Sequence, residues 1–460
     1  MQNAIQNVYE TLSGNFKGLL IRPHDAGYGD ATRIWNGMFV RRPGLLAYCR
    51  DVNDVQAAVR ASAATGIITA VRCGGHSLAG FSLCDDGLVI DLSLMRHVHV
   101  DPAVRKARFG GGCLLGTVDA ATQKVGMAFP AGVVSHTGAG GLVLGGGTGW
   151  LNRLHGLSCD NVEGFSVVVA DGSLLRANVN ENADLYWALR GGGGNFGVVT
   201  EFEAKLHPVT SVLLGRGLCV GDEIARLLRN WCEFMPEAPD NLRWGFSLQI
   251  ASGTGNIPPE LRGLPVASAS ALWVGNTDKG MRYINRALTA AAHTAVNIEE
   301  MPFLRLQTLA DSDFPHGRRY YTKSGYFESL DDGVIEMLIG ALATIPSQAS
   351  EIELTYLGGA AGRVGPEETA FGSRAAPFVI NILGHWSEPA EDVANVAWVR
   401  NLFSRLRPAM VPGAYVNFMS GDEQERVPEV YRKQWDRLRG VKTIYDAKNF
   451  FRLNQNIPPR

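Results

Sequence analysis

The stretch "AVRCGGHSLAG" (70–80) sets one histidine directly after two glycines, with a serine behind it and another glycine four residues on. Two further glycine-dense runs follow, "GAGGLVLGGGTGWLNRLHGLSCDN" (138–161) and "LRGGGGNFGVVTEF" (189–202). Without Cβ atoms, successive N–H groups can line an anion-holding concavity, and a flat ring can lie against the chain. The last run contains Gly192-x-Gly194-x-x-Gly197, a formal match to the dinucleotide fingerprint. That fingerprint needs a strand before the glycines and a helix after them, so that a pyrophosphate meets a helix N-terminus. Here the helical "LYWALR" precedes and the alternating "VVTEFE" follows, which is the reverse order. Gly74-Gly75 and the run from Gly138 to Gly149 together suit an extended cofactor that has both a diphosphate and a ring.

Outward from these runs the periodicity is mixed. "DVNDVQAAVRASAATG" (51–66) reads as a helix with Asp51 and Asn53 as capping candidates and Gly66 as its stop. "IITAV", "GLVIDLS" and "ARFGGG" read as strands, "LGTVDAATQKVG" and "ADLYWALR" as helices, and "FSVVVADGSLLRAN" as a hairpin turning at Asp171-Gly172. Past His207-Pro208 the glycines thin out. Strand candidates "LRWGFSLQI", "ASALWV", "SEIELTYLGG" and "PFVINILGHW" then alternate with helices "MRYINRALTAAA", "VIEMLIGALATI" and "VANVAWVRNLFSRL". The expectation is an α+β chain: a cofactor domain over 1–210 with its core at about 40–208, a substrate domain over 211–408 whose antiparallel sheet is covered by helices, and a segment over 409–460 that returns to the first domain.

At 460 residues the chain is long enough for two cores. Its 43 Lys+Arg against 45 Asp+Glu leave no basic footprint for nucleic acid or a membrane surface, so small molecules are the expected partners. The seven cysteines never fall in a C-x-x-C spacing, which indicates neither a disulfide framework nor a zinc site. No metal is expected. "MQNAIQNVYE" reads as no secretory leader, and with the cysteine usage it suggests a cytoplasmic protein, a leader removed earlier staying open.

"RCGGHS", the two later glycine runs and the ending "AYVNF…VKTIYDAKNFFRLNQNIP" stand in the order of one family, from about Arg42 to the C-terminus. The chain resembles the berberine-bridge-enzyme-like branch of the vanillyl-alcohol-oxidase superfamily, FAD-linked oxidases with a PCMH-type FAD-binding fold. The resemblance implies FAD joined covalently through His76 to its 8α-methyl group. It further implies that Arg72, Cys73, Gly74, Gly75, His76 and Ser77, with Gly138, Gly140 and Gly141, hold the pyrophosphate. Gly145, Gly146 and Gly147, with Leu157, Asp160 and Asn161, would surround the isoalloxazine; Gly197, Val198 and Val199 would meet the adenosine half, and Asn417 the flavin edge. The position at which many members add a second, cysteinyl link is read as Gly138, and Cys159 as a core cysteine, so a single histidyl link is implied.

The same resemblance makes "ELTYLGG" and "FVINILGHW" a pocket ceiling, with Tyr321, Lys323, Tyr356, Arg374, His385 and Trp386 as candidate liners. His385 stands where many relatives carry glutamine and Ser387 where some sugar oxidases carry aspartate, which weakens a simple carbohydrate-oxidase reading. The implied reaction is hydride removal from an alcohol, an amine or an activated ring carbon of a small organic substrate, a secondary metabolite or glycoside, with dioxygen reoxidising the flavin to give hydrogen peroxide. Gly145 to Gly147 would leave room for the gas. Tyr415 is the expected base, its phenol lowered from about 10 by Lys323 or Arg374, with His385 as the alternate. A dehydrogenase using another acceptor and a non-catalytic binding protein on the same fold are the alternatives; an NADPH-dependent reductase is disfavoured by His76 and the "YVNF" tail.

Overall fold

A computed structural model describes residues 2–252, 257–372, 374 and 376–460. The helix Val52–Thr65 starts where the sequence caps it: the Asp51 side chain accepts from the N–H groups of Asn53 and Asp54, and Gly66 ends it at φ +68°. Its apolar face, with Val55, Ala58 and Val59, packs on a four-stranded sheet built from β1 (Leu19–Ile21), β2 (Leu45–Tyr48), β3 (Thr69–Arg72) and β4 (Leu88–Asp91), in the order β1-β2-β4-β3. A second, antiparallel sheet contains β5 (Val98–Asp101), β6 (Lys106–Gly110), β8 (Val162–Val168), β9 (Leu174–Asn178) and β10 (Val198–Lys205), ordered β5-β6-β10-β8-β9. The two-residue strands β7 (Met127–Ala128) and β11 (His207–Pro208) pair with each other.

The rest of the chain adds one seven-stranded antiparallel sheet. Its strands are β12 (Ser211–Val220), β13 (Leu242–Ile250), β14 (Pro265–Trp273), β15 (Thr294–Pro302), β16 (Arg319–Phe327), β17 (Glu351–Tyr356) and β18 (Phe378–Trp386), ordered β15-β12-β14-β13-β17-β18-β16. Helices Asp222–Phe234, Thr277–Leu288, Asp332–Ala341 and Asp392–Leu406 cover one face, burying Trp231, Trp244, Phe246, Ile380 and Trp386 in a single core. That apolar burial is what fixes which residues of each strand face the helices and which are left for the other side. Ala414, Val416, Met419, Val430, Tyr431 and Leu438 join the core of the N-terminal region. Lys442, fully buried, donates to Asn195 O, Phe451 O and Asp446, and Asn195 Oδ1 accepts from Ile457 N; these bonds tie the last turns of the chain to the "GGGGNFG" run. Among the described residues no helix is long and apolar enough to cross a membrane.

Candidate functional site

Between the N-terminal region and the free face of the seven-stranded sheet lies a cavity of about 990 Å³. One wall is backbone. Gly74 and Gly138, 64 residues apart in sequence, lie back to back: a Cβ on Gly74 would stand 2.5 Å from Gly138 N. A Cβ on Gly141 or Gly194 would meet nothing within 4 Å, so these two cavity-lining glycines face open space. The Gly74 N–H is turned to the Cys73 sulfur, while those of Gly75 and His76 make no backbone hydrogen bond among the described residues. β3 delivers this loop, and its last residue is fixed from below, where Arg72 pairs with Asp91 of β4 and donates to Ala31 O. Gly193, Gly194, Asn195, Gly197, Val198 and Val199 line the cavity together with Phe451 and Asn454 of the C-terminal segment.

His76 projects from that wall and is half-buried. Its Nε2 lies 2.8 Å from His136 Nδ1, and its Nδ1 is 3.5 Å from Thr137 Oγ1. Trp35 stacks on the imidazole at 4.7 Å and on Tyr320 at 3.6 Å. Burial and the neighbouring imidazoles of His136 and His316 hold His76 well below the ordinary histidine value, so it is neutral at physiological pH. Nearby, Tyr415 Oη accepts from Thr148 N and from Asn417 Nδ2, which leaves its own proton for an acceptor in the cavity. Asn417 also donates to Leu142 O.

The opposite wall is made of side chains. Cross-strand registers place Ser268, Ser247, Glu353, Asn381 and Ser324 in one row across five strands, with Gln249 and Glu351 in the next row on the same face. Asn381 donates to Glu353 at 2.8 Å, and Arg243 approaches Glu353 at 3.8 Å while stacking on Trp150. Glu351 is pushed up to about 7, chiefly by burial, with the charges of Glu353 and Asp313 adding to it and a Ser247 hydrogen bond opposing it. His385 is pushed down to about 3 by burial and packs edge-on to Phe314 and Tyr320. A carboxyl near 7 suits proton transfer at neutral pH; an imidazole near 3 does not.

Residues 43–178 match the family described as FAD binding domain, and residues 414–458 the one described as berberine and berberine like. Over 451 residues the chain is 32% identical to an FAD-linked oxidoreductase of Dictyostelium discoideum, covering 97% of this chain and 95% of that one. It is 30% identical to (R)-6-hydroxynicotine oxidase of Paenarthrobacter nicotinovorans over 464 residues, with 97% of each covered. The crystal structure of 6-hydroxy-D-nicotine oxidase from Arthrobacter nicotinovorans superposes with a TM-score of 0.86 at 29% identity, covering 97% of this chain and 99% of that chain. The chain belongs to the berberine-bridge-enzyme-like FAD-linked oxidoreductases.

The glycine wall fits the cofactor of such an FAD-dependent oxidoreductase. A groove without side chains, with amides at Gly75 and His76 outside the backbone ladder and open space over Gly141 and Gly194, can take a diphosphate and a flat ring. Several expected contacts fall elsewhere. The Arg72 side chain is spent on Asp91, so Arg72 supports the loop from outside the cavity. Gly145, Gly146 and Gly147 do not line the cavity: their Cβ directions are filled by Asn417, Phe371 and Ser158, so these glycines admit protein side chains where room for a gas was expected. Leu157, Asp160 and Asn161 also lie off the cavity, Asp160 because it pairs with Arg374 at 2.6 Å and Asn161 because it holds the carbonyls of His155 and Leu157. The Cys159 thiol is enclosed beside Asp160.

On the ceiling, strand alternation corrects three liners. Tyr321 and Lys323 point to the helix-covered face, where Tyr321 bonds Asp422 and Arg400 and Lys323 pairs with Glu423. Trp386 is packed in the helix-side core and donates to Asp392. Tyr356 lines the cavity while its ring packs on Trp231, Phe378 and Arg153. Arg374, the fourth expected liner to fall off the cavity, pairs with Asp160 instead; with it and Lys323 both committed to carboxylates elsewhere, neither supplies the cation that Tyr415 was expected to use, and burial holds its phenol above the ordinary value. Glu351, Glu353 and Arg243 were missed, although the alternation Glu351-x-Glu353-x-Thr355 in "EIELTY" marks a polar face beside buried Ile352 and Leu354.

Proposed function

We propose that this protein is a covalent flavoprotein oxidase that takes a hydride from the carbon next to nitrogen in a small amine, with dioxygen as acceptor and hydrogen peroxide as product. When bound through His76, FAD accepts the hydride. The observation that carries the reading is Glu351, a half-buried carboxyl on the sheet wall of the same cavity as the glycine groove, pushed up to about 7. A carboxylate there takes the proton from the substrate nitrogen, which frees the lone pair that drives hydride departure. Asp313 and Glu353 add to the local negative charge, and Trp35, Phe314 and His385 offer ring faces and edges to a cationic or aromatic amine. Tyr415, its oxygen held by Asn417 and Thr148 and its proton free, is the donor on the opposite side that orients the bound groups. The similarity to a chain named as a hydroxynicotine oxidase supports an amine over a sugar.

The test uses the holoprotein and a panel of amines and alcohols, with peroxide release and anaerobic flavin bleaching as readouts. Since the base works ionised, flavin reduction by the best amine should rise as pH climbs through about 7. Glu351→Gln should keep its flavin and lose on the order of 10²–10⁴ in reduction rate. Parent-like reduction by that variant would remove Glu351 from the mechanism.

A further inference from the structure

Three imidazoles brought from three separate loops meet at the flavin-attachment residue. His76 comes from the loop after β3, His136 from the segment before Gly138, and His316 from the segment between β15 and β16; one ring nitrogen of each lies within 4.8 Å of the others. Ring centroids are 4.8 Å apart for His76 and His136, and 4.9 Å for His136 and His316. The set grades outward, since His76 and His136 are half-buried and His316 is exposed. The scaffold is built for it. Ser135, next to His136, makes two hydrogen bonds to Asp311 at 2.6 and 2.8 Å, which fastens its loop to the segment that carries His316. Trp35, stacked on His76, donates to Phe314 O and accepts from Gly317 N, the residues on either side of Pro315-His316.

We propose that His136 and His316 form a proton relay that makes His76 nucleophilic for covalent flavin attachment, His136 taking the Nε2 proton and His316 passing it to solvent. The proposal rests on the reading of His76 as the attachment residue. An imidazole that bonds to carbon through one nitrogen becomes a cation unless the other nitrogen gives up its proton, and the desolvation of the His76 ring among Trp35, His136 and His316 makes that cation costly. The 2.8 Å contact assigns Nε2 to His136 and leaves Nδ1 for the bond. His76 forms the C–N bond from Nδ1 at the 8α carbon, that carbon gives up one C–H proton, His136 accepts the Nε2 proton, and the two electrons left on the ring system pass to dioxygen as a two-electron acceptor. His136 and His316 are thus positioning and proton-transfer residues for maturation, separate from the turnover chemistry assigned to Glu351.

The experiment follows covalent flavin, as yellow protein surviving acid precipitation and as the flavin mass on a His76 peptide, in chains produced with limiting flavin and then incubated with FAD at several pH values. The parent should attach flavin. His136→Ala should bind FAD while attaching it on the order of 10²-fold more slowly, added imidazole should restore part of that rate, and His316→Ala should slow attachment less and only at low buffer concentration. Should His136→Ala fail to hold any flavin, His136→Gln, which keeps a hydrogen-bond acceptor without a proton site, decides: slow attachment supports the relay and parent-like attachment overturns it. Attachment at the parent rate in His136→Ala also overturns it. A parent chain with no covalent flavin refutes the His76 reading itself, and stoichiometric zinc on the three histidines would make the cluster a metal site and end the relay.

Discussion

On the glycine wall of the cavity a side chain is what the site excludes, and on the sheet wall side chains are what the site consists of. Gly74 and Gly138 touch through backbone, so the wall's shape follows from residues that have no Cβ. The facing sheet supplies Ser247, Glu353 and Asn381 from three neighbouring strands, and its chemistry follows from which residues alternate onto the free face. The first wall is suited to a group shared across a family. The second can be rewritten strand by strand without moving the backbone, and on the proposed function it is the wall that chooses the substrate.

The contrast breaks most visibly at Gly74. Gly74→Ala drives a methyl group into the backbone of Gly138, with no flexible side chain to yield, so the purified variant should be colourless, with flavin content down at least tenfold by absorbance. Flavin content near the parent's would mean that the two loops can separate and that the wall is softer than its packing. A smaller effect should follow at the back of the sheet. Tyr321→Phe removes a hydroxyl that bonds Asp422 and Arg400 on the helix-covered face, so it should lower stability by about 1 kcal/mol in denaturant titration while turnover stays within about twofold. A large loss of activity with unchanged stability would mean that the two faces of the sheet are not separate.

An effect confined to the pH profile concerns Asp119, a buried carboxyl pushed up to about 7 by desolvation, whose side chain accepts from Gln307, a residue that also donates to Gly132 O beside the cavity. Its folded value lies above the unfolded one near 3.8, so its share of stability is full below about pH 4 and is lost as pH rises to about 7. Asp119→Asn should flatten that part of the melting-temperature profile, which thermal scans from pH 4 to 8 would check. An unchanged slope would place the pH dependence elsewhere.

The glycine wall was legible because it is local: "RCGGHS" and "GAGG" carry it within a few residues, and the helix after Asp51 is framed by its own cap and stop. The sheet wall was legible only as strands. His385 and Trp386 are consecutive on β18, and alternation alone shows that they cannot share a face, whereas placing Tyr321 on the helix side takes the pairing of Tyr320 with His385, which no local pattern gives. β12 went unread because Gly215 and Gly217 interrupt its apolar run where Ile284 and His293 press on the strand, and β15 because most of its residues are exposed or half-buried. His136 and His316 lie 60 and 240 residues from His76, so their meeting is a property of the fold alone.

The knot that Asn195 ties to the chain's last turns also bears on kinetics. Its side chain holds Gln455 O and Ile457 N across more than 250 residues, so this edge of the cofactor groove closes only after contacts of very long sequence separation have formed. A groove completed that late is absent from the early folding ensemble. Bound cofactor therefore lengthens the lifetime of the folded chain by slowing its unfolding, and does little to hasten its refolding.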